Sequence, residues 1–393
     1  MKGNVVIVSG VRTAIGRFSG SLKDLKAAEL GGIVIREAVD RAGIDGKLVD
    51  EVIMGCVGQV SKDAFLARVA GIKAGLPVET SAMTVNRLCS SGLQAIVLGA
   101  MEIETGFADV VAAGGSESMT NLPYYLWKSQ FGYVMGHRQL EDGLIAALSD
   151  PFYEYQMGMT AENVADKYGI SREDQDYFAV DSQIKAARAI ESGLFKEEIV
   201  PITVKVDKVR EMIFDTDEHP RRDSTYEKLA KLRPAFKKDG TVTAGNASGI
   251  NDGAACVIMM AEEKARELGL EPLVRVVEAA AAGVPPEIMG TGPIPAVRKL
   301  LKKTGISLDD IGLIELNEAF ASQSLACIRE LNLDVKKVNV NGGAIAFGHP
   351  IGATGAILTV KLMNDMRRKG VRYGLETLCI GGGQGLAVLY ELV

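Results

Sequence analysis

The chain repeats itself. Ala42-Gly43-Ile44 closes a helical pattern and leads into the apolar run Val49–Met54, and Thr304-Gly305-Ile306 does the same before Leu308–Ile314. Gly43 stands 46 positions before Cys89, and Gly305 stands 44 before His349. Each half then places a strand-like run, a Gly-rich turn and a helical pattern in the same order. Two βα units can look alike by chance. The near-equal spacing argues instead for an internal duplication, with Cys89 and His349 at matching helix starts, so the chain must fold as two similar halves.

Within each half, short β-branched runs alternate with helical patterns. Strands are expected at Val5–Val8, Glu51–Val57, Ala82–Val85 and Asp109–Ala113, then at Val274–Glu278, Leu313–Leu316, Val338–Val340, Thr377–Ile380 and Ala387–Leu392. Helices are expected at Leu30–Ala42, Leu93–Glu104, Ala296–Lys303 and Thr354–Arg368. In the second of these, Leu93, Ile96, Val97 and Ala100 recur at helical spacing, which buries one face. Such alternation predicts an α/β protein with helices on both faces of a sheet. From about Ser118 to Ser248 the pattern changes. Aromatics and charges increase, helices at Thr160–Tyr168 and Arg172–Ser192 are polar on one side, and Ser171 to Asp174 forms a capping box. This stretch reads as an insertion lying over the duplicated core.

With 393 residues, 47% of them hydrophobic, the chain can build a large core. A net charge of −6 argues against a general nucleic-acid binder, which needs a basic face. Five scattered cysteines, with no C-x-x-C pair and only three histidines, do not form a disulfide framework or a zinc site. No apolar run approaches membrane-spanning length, and Met1 to Gly10 lacks a signal-peptide core. A cytoplasmic protein is expected. One charge anomaly stands out. Between His219 and Lys238, seven basic residues face two acidic ones, which suits either an anionic ligand or a solvated surface.

A lone cysteine is most often a small buried hydrophobe, and Cys56, Cys256 and Cys327 fit that description. Cys89 differs, because Asn86-Arg87-Leu88-Cys89-Ser90-Ser91-Gly92 breaks an apolar stretch where a helix begins. There the helix dipole is expected to favour thiolate. Cys379 ends a strand before Gly381-Gly382-Gly383, whose N–H groups can approach a reacting atom. His349 lies on the Gly348-His349-Pro350 turn, where exposure to solvent is expected. A Cys/His pair is the composition of a nucleophilic site. Gly114-Gly115-Ser116-Glu117-Ser118 is not a serine-hydrolase elbow, and Gly381 to Gly385 lacks dinucleotide-binding spacing.

Several motifs, in order, resemble the thiolase family over essentially the whole length, and most closely its short-chain acetyl-CoA acetyltransferases. They are Val11-Arg12-Thr13-Ala14-Ile15-Gly16, the Cys89 segment, Ala113 to Met119, Thr243 to Gly249, Asn317-Glu318-Ala319-Phe320, Gly348-His349-Pro350 and Cys379 to Gly385. The resemblance implies two duplicated βαβαβαββ halves packed as a five-layer α/β/α/β/α core. Residues 1–118 with 249–270 would form the N-terminal half and 271–393 the C-terminal half. An inserted loop domain over 119–248 would carry coenzyme A and oligomer contacts. It further implies a homo-oligomer, dimer or tetramer, acting on acyl-CoA and CoA without another cofactor.

The resemblance also assigns roles. Cys89 would take the acyl group, His349 the thiol proton, and Cys379 the α-proton of a second acetyl-CoA. Asn317 and His349 would hold the enolate oxygen, and the N–H groups of Cys89 and Gly381 the tetrahedral intermediate. Ser248 and Arg221 would bind CoA, Met157, Phe236, Met289 and Phe320 would wall the acyl pocket, and Leu148 and Ala244 would also contact the substrate. One departure stands at Gln156, where biosynthetic short-chain relatives usually carry His. The implied activity is reversible condensation of two acetyl-CoA through acyl-Cys89. Alternatives are a 3-ketoacyl-CoA thiolase of broader chain length and a non-catalytic acyl-CoA-binding subunit. Cys379 argues against a decarboxylating synthase, which uses two His with one Cys.

Overall fold

The computed structural model describes residues 4–393; Met1–Gly3 lie outside them. In the first half, β1 (Val5–Thr13), β2 (Glu51–Gly55), β3 (Ser81–Val85), β4 (Val110–Ser118) and β5 (Asn251–Ala261) lie in the order β3-β2-β4-β5-β1. In the second, β6 (Val274–Gly283), β7 (Ile311–Leu316), β8 (Tyr373–Ile380) and β9 (Gln384–Leu392) lie in the order β7-β8-β9-β6. The pairing senses correspond. β2 runs parallel to β4 as β7 does to β8, and the next two pairings in each half are antiparallel. The duplication read from spacing is thus a duplication of topology.

The counterpart of β3 is nearly lost. Instead of a strand at Val338–Val340 there is one parallel bridge between Ile314 and Val338. Asn339 adopts φ +44° and its side chain replaces the ladder, accepting from Leu316 N–H at 2.9 Å and donating to Leu316 O at 2.8 Å.

Helices α3 (Ser91–Thr105) and α8 (Thr354–Lys369) lie between the two sheets. α8 is buried on every side from Thr354 to Met366, as a helix enclosed between two layers must be. Ile357, Leu358, Val360, Leu362, Met363 and Met366 are almost wholly removed from water, each contributing roughly 1.5–3 kcal/mol of transfer free energy. α1 (Ala27–Ala42) and α2 (Leu66–Ala74) cover the outer face of the first sheet. α6 (Pro293–Thr304) and α7 (Ala321–Leu331) cover that of the second. The layers therefore run α/β/α/β/α. β1 and β6 also pair over Val5–Ile7, joining the sheets along one edge.

Between β4 and β5 the chain makes an excursion over residues 119–250 that touches the sheet again at Ile199–Val200, parallel to Arg12–Thr13 of β1, whereas β8 and β9 are linked by Gly381–Gly383 alone. The excursion contains α4 (Met157–Tyr168) and α5 (Arg172–Glu191). The capping box at Ser171 forms, with Asp174 N–H donating to Ser171 Oγ at 3.0 Å. Arg12, fully buried on β1, pins the excursion to the core: it donates to Glu198 at 2.8 Å and to both oxygens of Asp217 at 2.7 and 3.0 Å. A buried cation is tolerated when its donors are met in this way.

Candidate active site

Two sharp turns, one from each half, face a single cavity of about 520 Å³. The first follows β3. Asn86 Oδ1 accepts from Leu88 N–H at 2.9 Å, and Ser91 Oγ accepts from Arg87 N–H at 2.9 Å while donating to Leu88 O at 2.6 Å. These bonds hold Leu88 at φ +46°, a left-handed conformation costing about 1–3 kcal/mol for a non-glycine residue. The strain delivers Cys89 to the cavity, beside Met119, Leu144, Leu148 and Ile351.

The helix-start expectation needs correction. α3 begins at Ser91, and Cys89 stands before it. Burial dominates and raises the Cys89 thiol above its ordinary value, against the opposing pull of the Gly381 N–H and its own N–H. The resting group is a thiol, not a thiolate.

The second turn carries His349. Gly348 sits at φ +100°, and a Cβ there would lie 2.2 Å from the side-chain amide of Asn251. Asn251 Oδ1 accepts from His349 N–H at 3.0 Å, and its Nδ2 donates to Gly16 O at 2.9 Å. His349 is only 6% exposed, contrary to the expectation of an open turn, because the turn is folded inward between the halves. Burial lowers its pKa to about 4, so the imidazole is neutral. Nδ1 lies 2.7 Å from Thr354 Oγ1, and Nε2 lies 3.4 Å from Asn317 Nδ2.

Asn317 follows β7, held by its N–H to Thr377 O at 3.0 Å; its Oδ1 is buried without a protein partner. Cys379, next to last in β8 and fully buried, packs with Met289, Ala319, Met157 and Phe320. Burial, and then the neighbouring Cys89, push its thiol well above the usual range.

Ten other candidates line the same cavity: Gly381, Ser248, Arg221, Gln156, Met157, Leu148, Phe236, Ala244, Met289 and Phe320. Asn317 and Cys379 lie just behind its wall. The basic stretch contributes less than its charge suggested. Only His219 and Arg221 of it reach the cavity with a charged or titratable group, while Lys228 pairs with Asp223 and Lys237 with Asp166. Arg17 and Phe18, directly after the Val11–Gly16 motif, line the cavity but carry no sequence signal of their own. Two buried carboxylates likewise carry no signal of their own in the sequence. Glu117 accepts from Val57, Gly58 and Gly352 N–H at 2.8–2.9 Å, and Glu318 accepts from Ser182 Oγ and Asn339 Nδ2 at 2.7 Å each. Glu117 ties the His349 turn of one half to the other half.

A nucleophile elbow, an inward-folded histidine turn and a second buried thiol, built on two duplicated halves packed together as five layers, define a thiolase. The model for the thiolase N-terminal domain matches residues 5–263 and that for the C-terminal domain residues 270–392, so the chain belongs to the thiolase family. It is 52% identical to an acetyl-CoA acetyltransferase of Syntrophomonas wolfei, over 100% of both chains. It superimposes on the Bacillus anthracis acetyl-CoA acetyltransferase with TM-score 0.98 at 49% identity, covering 100% of this chain and 99% of the other. For human mitochondrial 3-ketoacyl-CoA thiolase in complex with CoA the values are 0.96 and 46%, covering 100% and 98%.

Proposed function

We propose that this enzyme is an acetyl-CoA C-acetyltransferase, interconverting two acetyl-CoA with acetoacetyl-CoA and CoA. The observation that carries the reading is the meeting of Cys89, His349, Asn317 and Cys379 around one cavity that Ser248 and Arg221 also reach. The names of the relatives point the same way.

The chemistry starts from a neutral pair. As Cys89 Sγ attacks the thioester carbonyl, its proton passes to His349. The oxyanion receives the N–H groups of Cys89 and Gly381, each such donor being worth roughly 3–4 kcal/mol of barrier. Coenzyme A leaves with the proton from His349, and acetyl-Cys89 remains. Cys379 first gives its own proton to His349, and as a thiolate it then takes an α-proton from a second acetyl-CoA. An ordinary thiol, of pKa about 8.5, is a weak base toward such a hydrogen. The enolate oxygen must therefore be held by Asn317, through a water, and by His349. The enolate carbon attacks acetyl-Cys89, acetoacetyl-CoA departs, His349 returns the proton it took from Cys379 to the Cys89 sulfur, and Cys379 keeps the α-proton. The sequence is ping-pong.

Arg221 and Ser248 serve CoA, with Arg17 and His219 beside them at the cavity. Leu148, Met157, Phe236, Met289 and Phe320 leave room for a short acyl group. The broader 3-ketoacyl-CoA reading differs only in this wall. The bare-binder reading is disfavoured because every reacting group is present. The homo-oligomeric reading draws support from the segment 119–248. It exposes Trp127, Phe131, Val134 and Met135 within nine residues of chain, large apolar side chains suited to contact with another copy. Among the described residues, no helix is long and apolar enough to cross a membrane.

Thiolysis across a chain-length series of 3-ketoacyl-CoAs tests the proposal. The expected result is a maximum at acetoacetyl-CoA, and loss of turnover in Cys89→Ala. Retained turnover in that variant would sink the mechanism.

A further inference from the structure

We propose that Thr354 is a positioning residue that sets the tautomer of His349, and through it the direction of a hydrogen-bond chain running from Asn317 to the carbonyl of Pro350. The inference rests on the Cys89–His349 reading above and adds to it the group that keeps the base a base.

The chain is read from its far end. Thr354 Oγ1 lies 2.9 Å from Pro350 O and 2.7 Å from His349 Nδ1. Two oxygens at that separation need a proton between them, and a carbonyl brings none. The single hydroxyl proton of Thr354 therefore points to Pro350 O. Oγ1 then meets His349 with a lone pair, so Nδ1 must carry the imidazole proton. Nε2 is left as an acceptor. Facing it at 3.4 Å is the Nδ2 of Asn317, which can only donate. All three links run one way: Asn317 to His349, His349 to Thr354, Thr354 to Pro350. Thr354, His349 and Asn317 are 2%, 6% and 1% exposed, so solvent does not supply substitutes.

The opposite polarity has an obvious route. Asn317 Oδ1 is buried and has no protein partner. If its amide turned over, an exchange that hardly changes shape, Oδ1 would face Nε2 and reward a proton there. A His349 protonated on Nε2 has no lone pair for the Cys89 proton. The hydroxyl of Thr354 decides between these arrangements by accepting at Nδ1. Valine keeps the shape of threonine and removes that acceptor, while serine keeps the acceptor.

The chain contains only three histidines, His137, His219 and His349, so the experiment is direct. Full-length protein labelled with nitrogen-15 at histidine is compared with Thr354→Val and Thr354→Ser, and the His349 signals are assigned by their loss in His349→Asn. The expected wild-type and Thr354→Ser spectra give Nδ1 a protonated, pyrrole-like shift and Nε2 an unprotonated one. Thr354→Val should move the proton wholly or partly to Nε2. In parallel, acetylation of Cys89 by acetyl-CoA should slow by about 10- to 100-fold in Thr354→Val, the usual effect of losing a partner that orients a histidine. It should stay within a few-fold in Thr354→Ser, with KM little changed in either. A wild-type His349 protonated on Nε2, or a Thr354→Val variant that acetylates at the wild-type rate, overturns the proposal. The wild-type spectrum needs no variant to fold. It also decides the tautomer even if Cys89 never becomes acetylated, a failure that would count against the proposed function instead.

Discussion

The reaction should tolerate acid better than a histidine base ordinarily allows. His349 must be neutral to accept the Cys89 proton, and burial sets its pKa at about 4. At pH 5.0 an unperturbed histidine of pKa about 6.5 would be neutral in about 3% of molecules, whereas one at about 4 is neutral in about 90%, a difference of roughly 30-fold in active base. The measurement is the rate of CoA release in the first half-reaction, in a rapid-mixing series from pH 7.5 to 4.5, with far-ultraviolet circular dichroism confirming that the fold persists. A nearly flat rate down to pH 5 is expected. An acid limb centred near 6.5 would refute the assignment of a buried neutral base. Stability must move too. Between about 6.5 and 4 the unfolded chain binds a proton at this position that the folded chain refuses, so stability falls as pH falls through that window. At about 1.4 kcal/mol per pH unit, the loss at this one site approaches roughly 3 kcal/mol. His349→Asn should remove that part of the slope in urea titrations at pH 7 and 4.5.

Replacing Cys379 with serine should separate the two half-reactions. Acetylation of Cys89 should remain within a few-fold, while acetoacetyl-CoA formation falls by about 10²–10⁴, the usual contribution of a positioned acid/base; equal losses in both steps would contradict the assigned role. Gly348→Ala combines a backbone cost of about 1–3 kcal/mol with displacement of Asn251 from two buried hydrogen bonds worth about 1 kcal/mol each. A loss of about 3–5 kcal/mol in urea unfolding is expected, together with a fall in kcat as the His349 turn shifts. Gln156→His should alter KM for acetyl-CoA and for longer acyl-CoAs by different factors, since Gln156 stands at the cavity. Unchanged kinetics with both would remove it from acyl selection.

What the sequence discloses is uneven for physical reasons. The layered α/β class followed from period-2 and helical patterning, and the pairing of Cys89 with His349 from spacing alone. The strand β5 escaped because Asn251-Asp252-Gly253 has turn chemistry, yet those residues are wholly buried: Asn251 holds Gly16 and His349, and Asp252 accepts from Thr120 at 2.6 and 2.9 Å. Function overrides propensity there. Val338–Val340 erred in the other direction, its β-branched residues promising a strand that the Asn339 side chain replaces. The state of Cys89 departs from the local rule of the helix dipole because burial, which only the assembled halves create, outweighs it. Arg17, His219 and Glu117 were illegible as site residues, since nothing local marks which buried or basic side chain will face a cavity built from distant segments.

The duplication also explains why the acid/base is a cysteine at the end of a strand. In the first half the last pair before the sheet is left is Ser118 with Asp252, preceded by Glu117 with Gly253; in the second it is Ile380 with Gln384, preceded by Cys379 with Gly385. The parallel registers agree, with Gly55 opposite Gly115 as Leu316 is opposite Thr377. Glu117 and Cys379 are therefore counterparts, as are Cys56 and Asn317, the next residues along. In the first half, three backbone N–H groups occupy the Glu117 carboxylate, and the connection that follows has grown into the long excursion that covers the cavity. In the second half the connection has stayed at three glycines, so Cys379 remains free of such ties and Gly381 presents its N–H to Cys89. The two copies of one strand end have diverged into a fastener and a reagent. Because Glu117 fastens Gly352, on the turn that carries His349, the inert copy helps to hold the base on which Cys89 depends.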